Sequence, residues 1–408
     1  MTLLHVAFAL PCTKPFSCVE DAAIVFDEKI IDFGNFIKMR DRYPNALNIH
    51  AGKDSVLMPG LINPHVHLEF SANQGLLEFG GFIPWLNSVI ANREDLQDAV
   101  NSEVITKALD EMLLSGTTAI GAISSFGLDL DACKKTPLHV TYFTELLGSR
   151  PDAVDILFEE FKQRLRQVFD AKDVKFSPAI SIHSPYSTHP ILAKNALDIA
   201  RKEDLNVSTH FMESMAERAW LDGGTGDFAT FFKAFSPHAA PFCNGFRFLS
   251  LFEKNHTLFT HAVHANSKEL KQIKDMGAEI THCPVSNRML GCGRLDLEQI
   301  KEFDINLSLG TDGLSSNRTL SLWEEMRAAL MMHEALPLNS LAEDLFFAAT
   351  AGGGKALRLN EGSLEVGKDA TFLLLNLPGS SIKNLPLHAI LHTNKPKSIY
   401  IQGERFDN

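Results

Sequence analysis

Two histidines one residue apart, His65-Val-His67, close the short apolar run LINPHVH. Side chains alternate along a strand with a period of two, so both imidazoles face the same side. If that side is the interior of a barrel, two imidazoles in an apolar core call for a partner, and a bound divalent metal supplies one. Two hydrogen-bonded histidines at a strand edge would give the same spacing, so the pair alone leaves both readings open. Later apolar runs also end in polar or ionisable groups: His183, then His210 with Glu213, then His261 with His264, then His282 through Asn287, and finally Thr311-Asp312-Gly313. Barrel enzymes draw their catalytic residues from the carboxyl ends of several strands. Packing alone does not ask for such groups there.

Positioning such a set requires strands whose ends meet. Eight short apolar runs fill the middle of the chain: LINPHVH, TTAIGAIS, HVTYFTELLG, VKFSPAISIH, NVSTHFME, HTLFTHAVH, AEITHCPVS and NLSLGTDG. Segments such as SEVITKALDEMLLSG, ILAKNALDIARKED and SKELKQIKDMG separate them, with apolar residues at three- and four-residue spacing. Eightfold strand-helix alternation predicts an α/β fold, a (β/α)8 TIM barrel. A doubly wound sheet is the alternative, but no G-x-G-x-x-G opens a helix. The first 58 residues and the stretches GSLEVGKDATFLLLN and KSIYIQGERF read as short strands, so a small β-sandwich domain built from both chain ends is expected. The predicted organisation is 1–58 and 356–408 for that domain and 59–355 for the barrel, with 68–105 and 214–255 as loops over the mouth.

A chain of 408 residues suits one barrel, typically ~250 residues, plus something smaller. Its net charge of −12 would repel a phosphate backbone and no Lys/Arg-rich run offsets it, so a small-molecule partner is favoured over nucleic acid. Six widely spaced cysteines, with no paired C-x-x-C, fit a reduced cytoplasmic setting. The start, MTLLHVAFALPC, lacks a positively charged lead and reads as a first strand rather than a signal peptide. No segment approaches the ~20 apolar residues that span a bilayer, so no membrane partner is expected.

Taken in order, these motifs resemble the amidohydrolase superfamily, and its deaminase branch in particular. The likeness runs from about residue 55 to 370, through H-x-H at His65 and His67, H-x-x-E at His210 and Glu213, the strand-six His261, H-C-P-x-S-N at 282–287 and the strand-eight Asp312. It implies metal ligation by His65, His67, His210 and Asp312. Binuclear members carry a bridging lysine on strand four, where SPAISIHSPY has His183 instead, so one divalent metal is expected. Zinc is the expected ion, and iron(II) suits the same donors. The metal would lower the pKa of a bound water, Asp312 would take its proton and His261 would steady the developing charge. Glu213 would protonate a ring nitrogen as C6 of an aminopurine is attacked, and ammonia would leave.

Within that branch HLEFS, PWLNSVIANRE, THFMES and TDGLSSN resemble the 6-aminodeoxyfutalosine deaminases of an alternative menaquinone route. This implies an adenine nucleoside whose 5′ end carries an aromatic carboxylate. Methylthioadenosine, S-adenosylhomocysteine and adenosine are the alternative substrates, and a guanine deaminase or a chlorohydrolase would use the same barrel and metal. His183, Ser316 and Glu213 are expected to contact substrate, with Arg150 as the carboxylate partner and Phe70, Phe79, Phe82 and Trp85 as an aromatic wall. A homodimer is the expected assembly. Glu69 either braces the mouth or touches substrate, and His264 reads as structural. A cytidine-deaminase fold is excluded because no P-C-x-x-C follows His67-Leu-Glu69, and a zincin because His333-Glu334 lacks its second histidine. A catalytically dead binding barrel would need a broken ligand set, and none of the ligand types is missing.

Overall fold

The computed structural model describes the chain apart from Gln74, Ser380 and Asn408. Eight strands form one sheet in sequence order: β1 (Leu61–Val66), β2 (Thr117–Ser124), β3 (His139–Leu146), β4 (Phe176–Ile182), β5 (Asn206–Phe211), β6 (His256–His261), β7 (Glu279–His282) and β8 (Leu307–Leu309). Each strand from β3 to β8 pairs in parallel with the next. All residues of β1, β2, β3 and β5 are buried, as expected for strands with helices on one face and a packed interior on the other. The result is the predicted (β/α)8 barrel. Three residues beyond β8, the Asp312 N–H donates to the carbonyl of His65 in β1 at 3.1 Å, drawing the end of β8 onto β1. A Cβ at Gly310 would lie 2.9 Å from His65 Cβ, so only glycine permits that approach.

The helices follow from the spacing that predicted them. In Pro190–Lys202 the buried residues Leu192, Ala193, Ala196, Leu197 and Ala200 form one stripe against Ile180, Ile182 and Val207. Pro190 occupies the first helical position, where its missing N–H costs nothing, and His189 caps the end by accepting from Ile191 N–H. Each buried leucine in such a stripe stabilises the fold by roughly 1.5–3 kcal/mol.

By compactness the chain falls into two units, Pro64–Leu109 with Gly121–Leu320, and Met1–Asn63 with Asp110–Ile120 and Ser321–Asn408. The second unit holds the predicted β-domain, a mixed sheet of eight strands drawn from both chain ends. Phe372–Asn376 pairs antiparallel with Ser55–Pro59, and that pairing joins the late strands to the early ones.

The stretches expected as loops over the mouth are largely helical. Phe82–Ala91, Arg93–Asp98, Met215–Gly223, Asp227–Phe235 and Gly245–Ser250 are short helices. Ser214 and Asn244 cap two of them by accepting from the N–H groups of Glu217 and Arg247. Among the described residues no helix is long and apolar enough to cross a membrane.

Candidate active site

The ends of β1, β5 and β8 bring His65, His67, His210 and Asp312 together, with one donor atom from each lying within 4.8 Å of the others. His67 Nε2 is 3.3 Å from His210 Nε2. Asp312 Oδ1 is 3.7 Å from His65 Nε2 and 3.6 Å from His67 Nε2. Two of the three far nitrogens, those of His210 and His65, are held from behind. His210 Nδ1–H donates to the His183 carbonyl at 2.8 Å, which leaves its Nε2 as a lone pair aimed inward, and His65 Nδ1 lies 3.2 Å from Thr260 Oγ1.

The Asp312 carboxylate is clamped as well. Ser286 Oγ and Ser316 Oγ donate to Oδ2 at 2.7 and 2.9 Å, and Gly313 N–H donates to Oδ1 at 2.9 Å. Burial raises this carboxyl, but the His65 hydrogen bond and the imidazoles around it outweigh burial and hold it well below its ordinary value. Burial, with the neighbouring His65 second, brings the His67 imidazole down to about 4. His210 also lies well below its ordinary value, through burial and the crowding of His65, His183 and His67. Neutral imidazole lone pairs and one carboxylate therefore converge on a point. Two nitrogens bound to one tetrahedral ion at the usual ~2.05 Å would lie about 3.3 Å apart, which is the His67–His210 separation. The four residues fit a single divalent metal.

A second group adjoins this one. Glu213, His261 and Asp312 also converge within 4.8 Å, with His261 Nε2 3.6 Å from Glu213 Oε1. Asn287 Oδ1 accepts from His261 Nδ1–H at 2.8 Å, so Nε2 carries the lone pair, and that atom is buried without a hydrogen bond. Burial brings the His261 imidazole down to about 4, against the pull of Asp312. Burial, and then the charges of Asp312 and Glu217, push the Glu213 carboxyl well above its ordinary value. Glu213 thus keeps a proton where most glutamates lose theirs. Its backbone is fixed by Glu217, whose carboxylate accepts from Met212 N–H at 2.8 Å and Glu213 N–H at 2.9 Å. Met212, His261 and Asp312 all have positive φ, at 49°, 72° and 57°. Such conformations cost non-glycine residues of order 1 kcal/mol or more, and they cluster where side chains must be aimed.

Both groups open on a cavity of about 250 Å³, room for a small molecule, lined among others by His67, Glu69, His183, His210, Glu213 and Asp312. His183 lies in the wall, its Nδ1 bonded to Ser187 Oγ at 2.5 Å. Phe70, Phe82 and Trp85 line the cavity, whereas Phe79 lies outside its lining. Glu69 braces the wall: its carboxylate accepts from the N–H groups of Ser125, Phe126 and Leu128 at 2.7, 3.0 and 2.8 Å. His264 is structural, bonded to the Cys292 carbonyl at 2.7 Å. Two expected contacts are not at the wall. Ser316 is buried behind Asp312, and Arg150 is exposed, paired with Asp152 at 2.5 Å and absent from the lining.

The amidohydrolase family profile matches residues 56–406. This chain belongs to the amidohydrolase family. It is 47% identical to the aminodeoxyfutalosine deaminase of a Nitratiruptor species, with 96% of each chain covered. It is 34% identical to an adenosine deaminase of Helicobacter pylori, with 97% of each covered. Among solved structures it superposes on Helicobacter pylori aminofutalosine deaminase in complex with methylthio-coformycin, with a TM-score of 0.95, 32% identity and complete coverage of both chains.

As an amidohydrolase chain it carries polar groups that its motifs do not announce. Glu145 on β3 accepts from Ser181 Oγ at 3.2 Å and Ser125 Oγ at 2.5 Å. Burial raises it, but the His183 and His67 rings and these hydroxyls outweigh burial and leave it lowered. A carboxylate inside the apolar run HVTYFTELL is the available signal. For Glu217 the signal is Ser214-x-x-Glu217, which has the form of a helix N-cap.

Proposed function

We propose that this chain is a metal-dependent hydrolytic deaminase that replaces the 6-amino group of an adenine nucleoside by oxygen, and that its substrate is 6-aminodeoxyfutalosine. The observation that carries the reaction is the pairing of a proton-retaining Glu213 with the His261 lone pair at 3.6 Å, directly beside the His65/His67/His210/Asp312 cluster. His65, His67, His210 and Asp312 would hold a divalent metal, zinc in this proposal, which when bound would supply a water made nucleophilic near neutral pH. The chain supplies the remaining steps. Asp312 accepts a proton from the attacking water and His261 Nε2 accepts a hydrogen bond from it. Glu213 gives its proton to the ring nitrogen beside C6, which makes that carbon electrophilic as the new C–O bond forms. The proton held by Asp312 then goes to the departing amine, the C–N bond breaks and ammonia leaves, and the proton of the new C6 hydroxyl returns to Glu213 as the 6-oxo product forms. Likeness to the Nitratiruptor and Helicobacter deaminases supports the nucleoside, and the cavity size supports a small molecule.

The test is ammonia release by the purified protein from 6-aminodeoxyfutalosine, methylthioadenosine, adenosine and guanine at equal metal loading, with elemental analysis alongside. The highest kcat/KM for 6-aminodeoxyfutalosine and close to one zinc per chain are expected. A best rate on guanine would overturn the nucleoside assignment, and two tightly held metals would overturn the single-metal site.

A further inference from the structure

The cavity wall changes character from its buried to its exposed members. His67, His210, Glu213 and Asp312 are buried, whereas Ile90, Phe126, Leu128 and Leu147 line the same cavity and are well exposed, 46%, 37%, 48% and 41% respectively. The outer part is therefore an apolar rim open to water. Among the lining residues one alone is cationic, Arg93, and it is exposed.

Arg93 belongs to a continuous face. Phe82, Trp85, Leu86, Val89 and Arg93 recur at three- and four-residue spacing through Phe82–Ala91 and into Arg93–Asp98, and all line the cavity. Its guanidinium lies over the Phe126 ring, 5.8 Å from the centroid. Phe126 is itself held, because its N–H is bonded to buried Glu69. Among the described residues no carboxylate pairs with Arg93, in contrast to Arg150 with Asp152 and Arg218 with Asp222 and Glu269. A guanidinium held over an aromatic face by cation–π attraction, with no carboxylate partner, still has its N–H fork to offer a carboxylate bidentately.

We infer that Arg93 determines specificity by binding an anionic group at the distal end of the substrate, with an apolar or aryl spacer lying against Phe126, Ile90 and Leu147. This rests on the nucleoside reading above and extends it: the purine end is read by buried polar groups, the far end by one cation on an apolar rim.

The experiment pairs a change in the protein with one in the ligand. Wild type, Arg93→Gln and Arg93→Lys are assayed on an adenine nucleoside bearing a 5′ aryl carboxylate and on its neutral carboxamide. Wild type should prefer the acid by ~10-fold in kcat/KM, a modest figure because the site is exposed. The preference should sit in KM and shrink as salt is added. Arg93→Gln should abolish it, and Arg93→Lys should keep part of it, having charge but no fork. Equal loss on both nucleosides in Arg93→Gln would overturn the inference in favour of a structural role, and an unchanged preference would overturn it outright. If wild type releases ammonia from neither nucleoside, the deaminase reading falls and this inference with it. Turnover of both without discrimination removes only the role of Arg93.

Discussion

Glu213→Gln separates proton delivery from everything else this side chain does. Because burial and the charges of Asp312 and Glu217 hold the carboxyl protonated, the change replaces one neutral, isosteric group by another. Folding stability should shift by less than about 1 kcal/mol, and the metal ligands keep their places. A glutamine amide can still donate a hydrogen bond to a ring nitrogen but cannot give up the proton. The loss should therefore fall on kcat, by about 10²- to 10⁴-fold or roughly 3–5 kcal/mol of barrier, with KM little changed. The pH profile gives a second readout. The raised pKa means that the active, protonated acid is lost as pH rises through that value, so wild-type kcat should decline on the alkaline side and the variant should lack that limb. Stability follows the same direction: the contribution of Glu213 is present below the ordinary carboxyl value and disappears as pH rises through the raised one. Steady-state kinetics from pH 5 to 10, with metal content and Tm measured on the same preparations, would decide it. Near-wild-type kcat in Glu213→Gln would refute the assignment, because another group would then be carrying the proton.

The clamp on Asp312 should be visible in metal affinity: Ser286→Ala or Ser316→Ala alone should weaken binding by about 10-fold and the double variant by about 100-fold, read by chelator competition. Unaltered affinity in the double variant would mean that the two hydroxyls do not hold the carboxylate in place. Arg150→Ala should leave kcat/KM within about twofold on every nucleoside tested, since its partner is Asp152 at the surface; a selective loss on the carboxylate-bearing substrate would reinstate it. Phe161→Ala empties a fully buried site in the barrel core and should cost about 3–5 kcal/mol by chemical denaturation, and a cost below about 1 kcal/mol would show that the core collapses around the gap.

The legible parts of this molecule are those where chemistry and periodicity coincide. A strand side chain's direction follows from its parity, so an imidazole at the end of an apolar run had to reach the barrel's carboxyl end, and the residues at 65, 67, 210, 261 and 312 do meet there. The less legible parts depend on where a chain turns after a strand stops. Arg150 lies four residues beyond β3, whereas His183 directly follows β4, and in those four residues the chain has turned so that Asp152, two residues on, takes the guanidinium away. Ser316 is four residues beyond Asp312, and its turn returns the hydroxyl to that same carboxylate rather than to the cavity. In sequence the stretch 80–97 has the texture of a loop because Gly80, Gly81, Pro84 and Asn92 punctuate it. Glycines at 80 and 81 and a proline in the first turn are compatible with a helix start, and the break at Asn92 only divides one apolar face into two helices. Read as a helix, that stretch carries Arg93 on the face of Trp85, Leu86 and Val89 and brings it to the cavity rim. The cation nearest the carboxyl end of a barrel strand in sequence is thus spent at the surface, while the one at the cavity rim lies on a helix that only the 3.6-residue period reveals.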